Sequence, residues 1–171
     1  MTADRSLMTV LDMCRWLEGT APALLVREST YGFQVVVAAH LLGIAISVGL
    51  LLWFDLRLVG VCMVRYGVTE LYRALAPWFL GGFALMFASG VLLFVAYASS
   101  AYGNVFFRIK FVGLLLAGAN ALYYHFATAR TLPAWDGAPR PPTSVRLAGV
   151  ASIALWMVVI VTGRMMSYTM F

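Results

Sequence analysis

Charge is scarce in this sequence. Only 11% of its 171 residues are Asp, Glu, Lys or Arg, where a soluble domain carries about a quarter. With 63% hydrophobic residues, the composition excludes an ordinary soluble domain and indicates a polytopic membrane protein. The net charge of +5 is modest, and the basic residues fall mostly between apolar runs. That distribution suits lipid headgroups and excludes nucleic acid as a partner. Cysteine is nearly missing as well: Cys14 precedes the first apolar run and Cys62 follows it. On opposite sides of a bilayer they form neither a disulfide nor a shared metal site, so both read as structural thiols. The sequence shows no phosphate loop, no nucleophile–base pair and no dehydrogenase signature, so the chain reads as not an enzyme on its own. The N-terminus carries Asp4, Asp12 and Glu18 and lacks an uninterrupted apolar core, which argues against a cleaved signal peptide.

What is abundant is apolar sequence in long runs. The stretch 104–130 has a basic pair at one end (Arg108, Lys110), Asn120 in its body and His125 near its far end, and no charge between Phe111 and Tyr124. With its flanks it reaches the ~20 residues that a helix needs to cross a hydrocarbon layer. Four such spans are predicted, at about 33–54, 77–98, 106–128 and 145–165. Before them, Val10, Met13, Cys14 and Leu17 recur at helical spacing with Asp12, Arg15 and Glu18 elsewhere on the wheel. This predicts an amphipathic interfacial helix at about 6–19, ended by Thr20, Ala21 and Pro22. The second span is taken to open at Pro77, since proline is tolerated in a first turn, and its small residues Gly81, Gly82, Ala88, Ser89 and Gly90 allow close backbone approach. The stretch TLPAWDGAPRPPTS holds four of the six prolines and reads as an exposed loop. The fold class is therefore all-α, a membrane four-helix bundle with an N-terminal interfacial helix, in one domain.

Four spans put both termini on one side, here side A, together with the turn between spans two and three. Six basic residues fall to each side. Arg57, Arg65, Arg73, Arg130, Arg140 and Arg146 sit in two compact loops on side B, which favours side B as cytoplasmic and the termini as periplasmic.

An ionisable side chain within a span is expensive and by default marks a site. Both histidines, His40 and His125, lie in spans and share helix faces with small residues. A haem held by both is disfavoured by depth: at about 1.5 Å per residue His40 lies about 6 Å to one side of the midplane and His125 about 9 to 12 Å to the other, roughly 15 Å apart along the normal. The two therefore serve separate places. On side A, His40 stands inside with Glu28, Tyr31, Tyr102, Asn104, Arg108, Lys110 and Arg164 near the rim, and Arg108 and Lys110 suit an anionic group such as a haem propionate, so that haem b or a quinone beside His40 is the expected ligand; the competing reading is that the two cations snorkel to headgroups. On side B, Asp55 is close enough in depth to accept from His125, as in proton relays; the competing reading is a surface pair of Asp55 with Arg57 or Arg130. His40 and His125 are also the candidate metal ligands. Copper through Met157, Met165, Met166 and Met170 ranks below core packing by these thioethers. Asn120 is expected to make an interhelical hydrogen bond.

The runs ESTYGFQVVVAAHLLGIAISVGLLLWFDLRLVG, LAPWFLGGFALMFASGVLLF and NVFFRIKFVGLLLAGANALYYH resemble an uncharacterised group of four-helix bacterial inner-membrane proteins, a domain of unknown function. More distantly, AAHLLG and the last histidine are similar to the copper-resistance D family and to haem-binding membrane cytochromes. The paired histidines of a b561-type cytochrome do not occur. The resemblance implies a place in the bacterial inner membrane, in copper handling or redox chemistry. The leading expectation is an accessory or electron-transfer subunit of a larger membrane complex, with haem b or quinone near His40. The alternatives are a copper or proton-coupled transporter, and a structural subunit without cofactor that packs against other membrane subunits or a second copy.

Overall fold

The computed structural model describes residues 9–170, with backbone alone at 127–130. Arg5, residues 6–8 of the expected interfacial helix and the side chain of Arg130 lie outside the described residues. Among the described residues seven α-helices follow in order: α1 Val10–Glu18, α2 Ala21–Glu28, α3 Gly32–Val59, α4 Val68–Ala96, α5 Ala98–Gly103, α6 Val105–Tyr123 and α7 Thr143–Met170. A π-turn, Tyr124–Thr128, and a 3-10 turn, Ala129–Ala134, carry α6 into the proline-rich loop. Among the described residues four helices are long and apolar enough to cross a membrane: α3, α4, α6 with its extension to Phe126, and α7. The all-helical bundle expected from composition is the observed fold.

α3 packs along α4, α6 along α7, and the two hairpins join where α3 meets α7. The α3–α4 contact is close because it is made over glycine. A methyl at Gly43 would lie 2.6 Å from the Met86 backbone nitrogen, and one at Gly82 would lie 2.6 Å from that of Ser47. In lipid, where apolar side chains gain little by meeting one another, such backbone approach supplies the dispersion contact that holds helices together. Gly82, of the small residues noted in the second span, serves this; Gly81 faces open space. Between α6 and α7 the Asn120 amide donates to the Ala148 carbonyl at 3.0 Å, the interhelical bond expected of it.

α1 is capped by a reciprocal pair, Thr9 accepting from the Asp12 amide and Asp12 from that of Thr9. It leaves Val10, Met13 and Trp16 exposed, as an interfacial helix would. Pro22 does more than end it: the residue sits in the first turn of a further helix, α2, where its missing N–H costs nothing. At the junction of α4 and α5, Glu18 accepts from the Ser99 amide and hydroxyl, fastening α1 to side A.

Side B departs most from expectation. α4 begins at Val68, not near Pro77, which lies inside it on the outer face. The added turns are held by the proline-rich loop. Asp136 accepts from the Thr69 amide at 2.7 Å through its side chain and from Val68 at 3.1 Å through its carbonyl, capping α4 from 67 residues away. The loop expected to be exposed is instead partly a core: Trp135 is buried with Phe54, Leu58, Val68, Leu71 and Val145. Arg57 is fully buried there and donates to the carbonyls of Tyr66 (2.9 Å), Asp136 (3.3 Å) and Ala138 (3.2 Å), tying the two loops together.

Candidate functional site

The candidate site lies on side A. His40 lies two turns into α3 and faces α4, where its Nδ1 is 2.9 Å from the Met86 carbonyl and 3.1 Å from the Ser89 hydroxyl. The carbonyl can only accept. The Ser89 hydroxyl spends its proton on the Leu85 carbonyl at 2.6 Å, so it too presents a lone pair to the ring. Nδ1 must therefore carry the proton, and the lone pair resides on Nε2. No hydrogen bond to Nε2 occurs among the described residues. The ring lies flush on α4 because residue 90 is glycine: a methyl there would come 3.1 Å from Cε1.

From the facing hairpin, Lys110 reaches inward. Its Nζ would stand 3.3 Å from a methyl at residue 163, so Gly163 of α7 makes the room that the ammonium occupies. It is near enough for its charge to act on His40. Lys110 is only partly exposed and, among the described residues, has neither a carboxylate within ion-pair distance nor a hydrogen-bond acceptor. A cation and a basic nitrogen thus lie within electrostatic reach of each other, with no acid at ion-pair distance from the lysine among the described residues. That arrangement accepts a proton donor at Nε2 and an electron-rich oxygen at Nζ.

The other expected members of this set are placed differently. Arg108 points away: its guanidinium donates twice to the Tyr102 carbonyl at 3.3 Å and lies over the Tyr102 ring, 5.6 Å from its centroid. The basic pair is therefore divided, Lys110 inward and Arg108 outward. Asn104 caps α6, accepting from the Phe106 and Phe107 amides at 2.9 and 3.3 Å, and donates to Thr169 at 2.8 Å. Both Tyr102 and Asn104 serve the helix end rather than His40. Arg164 is taken up by Tyr168.

On side B the structure does not bring His125 and Asp55 together. His125 is exposed in the π-turn, edge-on to Phe126. Asp55 is buried and has Ser152 of α7 as its hydrogen-bonding neighbour. The histidines thus lie at opposite ends of the bundle, as their depths predicted. Met157 and Met165 are exposed on the outside of α7, and no cluster of three or more His, Cys, Asp or Glu exists among the described residues.

Ser89, Gly90 and Gly163, together with the Met86 carbonyl, are the participants that sequence reasoning missed. Ser89 and Gly90 stood out only as small residues. What gives them a role is contact with His40 across the helix pair, which one chain's periodicity does not encode.

Fold and candidate site together define a multi-pass α-helical membrane protein with a half-buried histidine and lysine toward one end of the bundle. The chain belongs to a family of unknown function (DUF6644), whose model matches residues 26–169. That span covers all four membrane-crossing helices, and with them His40, Asp55 and Lys110. No curated protein and no solved structure matches the chain.

Proposed function

We propose that this protein is an integral-membrane subunit of a larger electron-transfer assembly and that it binds a quinol headgroup between His40 and Lys110. The observation that carries the reading is the hydrogen bond from His40 Nδ1 to the Met86 carbonyl, which leaves Nε2 as an acceptor within electrostatic reach of an ammonium that has no counter-charge among the described residues. A quinol offers the matching groups: a hydroxyl that donates to Nε2, and an oxygen on which Lys110 stabilises negative charge. Its isoprenoid tail reaches such a site from the bilayer. Arg108, Tyr102 and Asn104 shape the helix end above and do not touch the headgroup. The compact basic loops on side B support a bacterial inner-membrane setting with that side cytoplasmic and the site toward the periplasm.

Haem b is the second reading, and one observation favours it: metal-ligating histidines characteristically give their other ring N–H to a carbonyl, as His40 does. Against it, His125 is at the far end, so the other axial ligand would have to come from a methionine or a partner subunit. Transport of copper or protons, and a purely structural role, remain the competing classes.

Three measurements separate these. A reduced-minus-oxidised visible spectrum of the purified protein shows the α-band of a b-type haem only under the haem reading, and His40→Ala then abolishes it. Calorimetric titration with a short-chain quinol tests the leading reading. His40→Ala and Lys110→Met should each weaken binding about tenfold or more, the equivalent of about 1.4 kcal/mol or more. Binding indifferent to both changes would overturn it. Copper retained by wild type but lost in the histidine or methionine variants would favour transport.

A further inference from the structure

The loop end of the bundle holds a second buried ionisable group that the quinol reading does not use. Asp55 lies in α3, 3% exposed, with Oδ2 sealed from solvent and without a hydrogen-bond partner. No cation stands within ion-pair distance among the described residues. Arg57, the nearest cation on the same helix, is turned into the loops and spends Nε and one terminal nitrogen on three carbonyls. From α7, the Ser152 hydroxyl neighbours the carboxyl. From the end of α6, Tyr124 lies within electrostatic reach of Asp55, of Tyr72 on α4 and of Asp136 in the loop. Among the described residues, these are the charged and titratable groups that act on it from each packed element.

An ionised carboxylate in such a place loses its hydration without recovering it from a counter-ion, a cost of several kcal/mol. A neutral acid bears no such cost, and its O–H can use the lone pairs at hand. We propose that Asp55 is a proton-binding site that holds its proton at neutral pH and exchanges it with the loop side past Tyr124 and Tyr72. The proton comes from solvent on the loop side and ends on a carboxyl oxygen; no electron moves. The site is independent of His40 and stands at the opposite end of the bundle.

Infrared spectroscopy of the full chain in nanodiscs tests it. Wild type at neutral pH should show a protonated-carboxylic C=O band that shifts in D2O. Asp55→Asn should remove that band while leaving the helical circular dichroism intact. Ser152→Ala, which keeps the acid, should shift the band without removing it, so the test stands even where the first variant folds poorly. Absence of the band in wild type would overturn the proposal. So would a band unmoved by both changes, or one that appears only when sodium is withdrawn, since the group would then be an ionised cation ligand.

Discussion

Gly43→Ala places a methyl group 2.6 Å from the Met86 nitrogen and 2.8 Å from its Cα, where ordinary contact begins at 3.4 Å. Both neighbours are backbone, so no side chain can swing aside, and α3 and α4 must part by about 0.8 Å. Overpacking of this kind costs about 1–3 kcal/mol. For a chain of this size that lowers the melting temperature by about 2–12 °C. The displaced residue is also the one whose carbonyl orients His40. A movement of that size along the hydrogen bond would take it from 2.9 Å to about 3.7 Å, beyond bonding range. Loss of a bond worth about 1 kcal/mol net should weaken quinol binding about fivefold. Thermal unfolding followed by circular dichroism, with quinol titration of the folded fraction, reads both effects. Gly81→Ala serves as control, since nothing lies within 4 Å of that position, and should leave both unchanged or slightly raise stability. Wild-type melting and affinity in Gly43→Ala would refute the proposed coupling between the helix crossing and the histidine.

Lys110→Met should raise the melting temperature by a few degrees while weakening ligand binding about tenfold or more, because it removes a partly buried cation that has no ion-pair partner among the described residues; a fall in stability would mean that the ammonium has a structural partner. Asp136→Ala removes the acceptor for the Thr69 amide and should cost about 1 kcal/mol, read as faster hydrogen exchange confined to the first turn of α4. Asp12 has its carboxyl held below the usual value of 3.8 by its hydrogen bonds to Thr9. A depressed folded-state pKa stabilises above the unfolded value and is lost as pH falls through the folded one. Amide exchange in α1 should therefore rise on acidification below about pH 3.8, and Thr9→Ala should remove that pH dependence; exchange that stays flat through this range in wild type would contradict it.

The four spans were legible because long uncharged runs have one structural solution in lipid, with every backbone group bonded within its own helix. The separation of the two histidines followed from counting residues along those spans. The pairing around His40 was less visible. Arg108 and Lys110 are two residues apart, which places them on different faces of α6, and only the position of α7 decides that Lys110 is the one turned inward. Side B was the least legible. Trp135 and Asp136 sit in a segment whose prolines signal a loop, and nothing local announces that it folds under α3 and caps α4. The start of α4 nine residues before Pro77 follows from that distant cap. Asp55 was noticed as an ionisable group near a span end, but its neighbours Ser152 and Tyr124 come from helices that the sequence does not align with it.

The account turns on His40 and Lys110 forming one binding site, and a double-mutant cycle on quinol affinity tests that most directly. If both contact the same headgroup, the combined variant His40→Ala with Lys110→Met should lose distinctly less than the two single losses added together, because the first change already forfeits most of what the second could remove. Losses that simply add, or single variants that bind as wild type does, would contradict the claim that this basic pair holds a common ligand.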